Sequence, residues 1–174
     1  KGRGPKRTYR QLLVNHLDES YLYTYGRGTP REIESFCRRL TDPAYFATPY
    51  GPLLIAANNT LGYTNAEYHG LVIWIKQVAF VVLGLSKHLK IAITEGWDKS
   101  LQRTIKATIL QICEQTLDAC HTLGAVPELY YVDGKTPKFF PINSSKVQLW
   151  SAVGIRRIIR KYLELKTDPK YKRV

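Results

Sequence analysis

The sequence predicts an all-α fold: a helical bundle with an extended basic N-terminal arm and one small β-hairpin. Three observations carry that prediction. Apolar residues recur at helical spacing through much of the chain, the clearest stripe being Leu101, Ile105, Ile109, Ile112, Thr116 and Cys120. Helix start and stop signals bracket the stripes, as Asp98 and Gly124 do for that one. Only Tyr130–Phe140 reads as a hairpin, with Asp133-Gly134 as its turn.

The first ten residues carry five cations (Lys1, Arg3, Lys6, Arg7, Arg10) and no acid. Gly2, Gly4 and Pro5 oppose helix there, through backbone entropy and a missing N–H donor. Thr8–Tyr23 then reads as a first helix, with Leu12, Leu13, His16 and Leu17 on one side. Tyr21, Tyr23 and Tyr25 alternate, and Gly26-Arg27-Gly28 breaks the segment. Thr29-Pro30-Arg31-Glu32 starts the next helix: Thr29 caps, Pro30 has the φ of a first turn, and Glu32 faces the positive dipole end. That helix runs to about Leu40. Pro43–Tyr50 is irregular and aromatic, and Pro52–Thr60 reads as a short helix.

Thr64–Lys90 is the expected centre of the fold. Thr64 and Glu67 form a capping-box pattern ahead of a long apolar run. Leu71–Ile75 and Val78–Leu85 are apolar all round, and a helix without a polar face is buried on all sides or lies in lipid. The uninterrupted run is shorter than the roughly 20 residues a bilayer needs, and Lys76 breaks it, so a buried central helix is expected. The helix from Asp98 to Gly124 follows, then the hairpin, which Pro137 and Pro141 keep short and at an edge. Asn143 or Ser144 caps a last helix over about Ser145–Lys166. Its expected apolar stripe is Val147, Trp150, Ile155, Ile158, Tyr162 and Leu165. Asp168-Pro169 ends it, and Lys170-Tyr-Lys-Arg173 trails off as a basic tail. Residues 1–28 thus form an arm with the first helix, and residues 29–174 a helical bundle with a basic C-terminal helix and tail.

At 174 residues, with 44% hydrophobic content, the chain is long and apolar enough to bury a core. Its net charge of +12 lies at the ends: residues 1–10 contribute +5 and residues 146–174 contribute +7, around a neutral middle. Cys37, Cys113 and Cys120 are an odd number without a C-x-x-C, and read as buried free thiols. No signal peptide is visible, and the absence of Met implies a processed or trimmed chain.

Enzymatic readings fare poorly. His16, His69, His88 and His121 match no metal spacing, so no metal and no cofactor are expected. Adjacent Cys120 and His121 point about 100° apart on a helix, wrong for a nucleophile and its base. There is no G-x-S-x-G, Walker or G-x-G-x-x-G pattern. Gly26-Arg27-Gly28-Thr29 reads as a phosphate nest or as a plain loop before a capped helix. The chain is expected not to be an enzyme.

Two basic ends around a neutral bundle point to a polyanion held through its backbone. The candidate nucleic-acid contacts are Lys1, Arg3, Lys6, Arg7, Arg10, Arg27, Arg156, Arg157, Arg160, Lys161, Lys170, Lys172 and Arg173. Tyr9, Tyr171 and the tyrosines at 21, 23 and 25 read either as base-stacking or as packing residues. No helix-turn-helix, zinc finger or RNP pattern is present, so the expected binding is sequence-independent.

Lys1-Gly2, Pro5 and Lys6, followed by hydroxyl and aromatic residues and Gln11, resemble the start of the major coat proteins of filamentous archaeal viruses, the rudivirus and lipothrixvirus group. The likeness covers about ten of the 174 residues; the remainder agrees in being helical, hydrophobic-cored and basic. It implies a helix-rich coat protein whose N-terminal segment wraps double-stranded DNA in A-form, with Lys1, Arg3, Lys6, Arg7 and Arg10 as phosphate contacts. It further implies pairing with itself or with a paralogous coat protein in a helical filament, and allows contact with envelope lipid. The implied location is the virion nucleocapsid, and the host cytoplasm during assembly. The alternatives are an RNA-binding nucleoprotein and a basic membrane-associated interaction protein.

Overall fold

The computed structural model describes residues 14–172 and Val174. Helices dominate it, joined by a three-stranded antiparallel sheet rather than a lone hairpin. The hairpin pairs β2 (Leu129–Asp133) with β3 (Thr136–Phe139), and Gly134 takes the positive φ of 59° that its tight turn demands. Pro137 lies on the edge strand β3, where a missing donor costs no ladder bond. The added strand is β1 (Ile73–Trp74), paired with Tyr130 and Leu129. It comes out of the apolar run expected to be wholly helical. Val72, Ile73 and Ile75 are β-branched, and a short apolar run carries no period to separate strand from helix.

The central helix α3 (Ile75–Thr94) therefore starts later than the Thr64–Glu67 pattern suggests. Glu67 does accept hydrogen bonds from the Thr64 N–H (2.6 Å) and hydroxyl (2.8 Å), but the cap closes a turn in which the Leu71 N–H donates to the Thr64 carbonyl. Twelve of the twenty residues of α3 are buried, so protein covers most of its apolar surface. The helix is long and apolar enough to cross a membrane by length and composition alone.

Two other segments differ from expectation. Residues 14–16 are extended, not helical, and are followed by a 3₁₀ turn (Leu17–Glu19) and the short α1 (Ser20–Thr24). Residues 52–60 are not helical either. Leu53–Ala56 is a buried ribbon: Leu17 donates to the Leu54 carbonyl, Ala56 to that of Asn15, and Leu54 to that of Val72. Backbone groups satisfied by neighbours distant in sequence have no need of a helix. By contrast α2 (Pro30–Thr41) has the full Thr29/Glu32 capping box, and α4 (Lys99–Leu123) runs from the Asp98 cap to Gly124 at φ 64°.

The last long helix, α5 (Leu149–Thr167), begins after Gln148 with no side-chain cap, because Asn143 turns left-handed (φ 52°) and Ser145 bonds Val147. Its buried stripe is Ser151, Gly154, Ile155, Ile158 and Leu165; Val147 and Trp150 are 70% and 62% exposed. The C-terminal segment does not trail off. It forms α6 (Pro169–Lys172), with Tyr171 buried and the Lys106 ammonium donating to the carbonyls of Tyr171 and Val174. All three cysteines are free; burial raises the Cys37 and Cys113 thiols to about 12 and Cys120 to about 11.

His88 on α3 is fully enclosed. Its Nδ1 lies 3.0 Å from the Gly84 carbonyl, its Nε2 has no hydrogen-bond partner, and Tyr23 meets its ring edge-on. Burial lowers its pKa below 6.5, the Gly84 bond and Glu95 oppose that, and Lys87 adds to it. The unfolded chain thus protonates first. His88 contributes stability that is intact above about pH 6.5 and drains away as pH falls below it toward the folded value. Thermal melts at pH 7 and pH 5 should show a drop in midpoint that is smaller in His88→Leu; an equal drop in both would clear His88 of the effect.

Candidate nucleic-acid interface

α3 turns one stripe outward: Lys76, Phe80, Leu83 and Lys87, spaced four, three and four residues apart on one helical face. Two glycines explain how the flanking helices approach closely enough to make that stripe the floor of a trough. A Cβ on Gly84 would lie 3.0 Å from Tyr23 Cβ, so α1 rests directly on α3. A Cβ on Gly154 would lie 3.2 Å from the Ile75 carbonyl oxygen, so α5 does the same on the other side. On the α1 wall, Tyr21 packs on Phe80 at 4.7 Å between ring centroids, and Lys87 donates to the Thr24 carbonyl at 3.3 Å.

The α5 wall carries the arginines, and Lys76 on α3 borders the same side. Lys76 places its ammonium 4.8 Å from the Trp74 ring and 5.8 Å from that of Trp150. The same cleft is lined by Phe80, Val153 and Arg157. A second cleft, sharing Arg157, is lined by Leu83, Arg160 and Lys161. Arg156 departs from Arg157 by about 100° around α5 and lines neither cleft. Arg156, Arg157 and Arg160 are exposed, and none pairs with a described carboxylate.

Lys161 is less available than its neighbours. It pairs with Glu164 at 2.5 Å, and Lys90 approaches the same carboxylate at 3.5 Å. Partial burial opposes ionisation of Glu164, but the Lys161 hydrogen bond and the charges of Lys161 and Lys90 hold its pKa below the ordinary value. Lys170 and Lys172 are exposed on α6, at the far end of α5 from Trp150. Arg27 is exposed beyond α1, next to Gly26, which lies against Lys87. Lys1, Arg3, Lys6, Arg7, Arg10 and Arg173 lie outside the described residues, as does Tyr9. Of the other tyrosines, Tyr171 and Tyr23 are buried, Tyr21 is half-buried and Tyr25 exposed.

Sequence reasoning missed Lys76, Phe80, Leu83 and Lys87, and assigned Trp150 to packing. The signal was present in Lys76 and Lys87, three turns apart and on one helical face with Phe80 and Leu83. A cleft between α2 and α4 also holds cations, Arg31 and Arg38, but includes Glu34. The trough has acids only near its ends among the described residues, Asp18 beside Tyr21 and the paired Glu164. Its chemistry suits a polyanion that offers phosphates to the arginines and flat apolar surfaces to the aromatics. No family model matches this chain, and no curated protein matches it.

Proposed function

We propose that the chain is a structural protein that coats and condenses double-stranded DNA without sequence specificity, as the subunit of a helical filamentous nucleocapsid. The observation that carries this reading is the set of unpaired arginines on α5, continued by Lys170 and Lys172 on α6. The nineteen residues of α5 span about 28 Å, the length of roughly eight base pairs of duplex. The separation of charge into two basic ends supports the same reading, since charge serving solubility alone need not cluster. Pairing with a second copy or a paralogous coat protein, and contact with envelope lipid, belong to the same proposal.

The test is nuclease protection of duplex DNA at low and high salt, with the circular dichroism of the DNA recorded alongside. Protection along the full length, lost with salt and joined by an A-form-like spectrum, supports the coat. Binding without protection reduces the protein to a basic accessory factor. Absence of duplex binding, with binding to RNA or to anionic vesicles instead, replaces the proposal.

A further inference from the structure

Trp150 is 62% exposed in the first turns of α5, and phosphate contact gives no reason for it. Phosphates attract the arginines but present no π-face to an indole. A paired base keeps its faces inside the stack. An unpaired nucleotide offers both parts at once, a flat ring for Trp150 and an anion for the cations around it. We infer that the cleft formed by Lys76, Trp150 and Arg157 takes one unpaired nucleotide, with the base against the Trp150 indole and the phosphate between Lys76 and Arg157.

The cleft is built for such a unit. Lys76 is held over the rings of Trp74 and Trp150, which steers its ammonium to one place. Arg157 lines the cleft about two turns beyond Trp150 on α5, and Phe80 and Val153 supply apolar lining. Gly154 keeps α5 close to α3, so that the two cations, one on each helix, border the same cleft. No carboxylate lines the cleft, which sets it apart from a surface awaiting a protein of mixed charge. The inference rests on the nucleic-acid reading above and names the strand class: single strands, or the ends, nicks and opened stretches of a duplex.

Fluorescence anisotropy with a labelled twenty-nucleotide oligothymidylate and a labelled duplex of equal phosphate number separates the possibilities. The proteins are wild type, Trp150→Ala, Trp150→Phe and Arg157→Ala, each checked for native circular dichroism. Trp150→Ala should weaken the single strand about tenfold and leave the duplex within about twofold, while Trp150→Phe retains most of the affinity. Arg157→Ala should weaken both and lower the salt slope by about one. Protein emission should be quenched by the single strand in wild type and much less in Trp150→Ala. Equal loss on both ligands, or no loss on either, overturns the nucleotide cleft and leaves the coat reading standing. Failure of the wild type to bind either ligand removes the coat reading and the cleft with it.

Discussion

Replacing Arg156, Arg157 and Arg160 together with alanine should lower the slope of log affinity against log salt on duplex DNA by about 2.7, at roughly 0.9 per phosphate neutralised. Between 50 and 200 mM salt the wild type should then lose about fortyfold more affinity than the variant. The three side chains are exposed and pair with no described carboxylate, and alanine is the better helix former, so α5 keeps its fold. Lys161 is left in place because it neutralises the part-buried Glu164. An unchanged slope would mean that the arginines of α5 do not meet phosphates. Abolition of all binding by any one of them would contradict contacts distributed along the helix.

Gly84→Leu should destabilise the protein by about 1–3 kcal/mol, read as a lower urea midpoint. A Cβ on Gly84 would lie 3.0 Å from Tyr23 Cβ and 3.2 Å from the Thr24 amide nitrogen, and backbone cannot step aside as a side-chain tip can. The intruding side chain lifts α1 from α3 and takes Tyr21 away from Phe80, which opens one wall of the trough. Gly84→Ala adds only the Cβ and should cost less. The arginines sit on the other wall, so the residual salt slope of folded Gly84→Leu should match wild type. A wild-type urea midpoint in Gly84→Leu would show that α1 does not seat on that glycine.

Much of the helical framework was legible because its signals are local. Thr29 and Glu32 cap α2 through their own neighbours, and Asp98 and Gly124 bound α4 in the same way. The Asp133-Gly134 turn carries its own φ requirement. Thr64 and Glu67 complete only half of the box: Glu67 accepts from the Thr64 N–H, while the Thr64 hydroxyl accepts from the Ala66 N–H and closes a turn, and β1 claims the residues that follow. Ile73 and Leu53–Ala56 took their conformations from partners far along the chain, Tyr130 for the first and residues 15–17 and 72 for the second. No window of neighbouring residues contains those partners.

The candidate interface divides along the same line. That cations gather toward the two ends of the chain, and that α5 carries three arginines off its buried stripe, follows from composition and a 3.6-residue period. That Lys76 belongs with Trp150 and Arg157, while Lys161 is bound to Glu164 and Tyr171 is buried, follows from packing. Periodicity states which residues share a face of one helix. Only the approach of α1 and α5 to α3, through Gly84 and Gly154, states which faces meet and which one is left open to solvent.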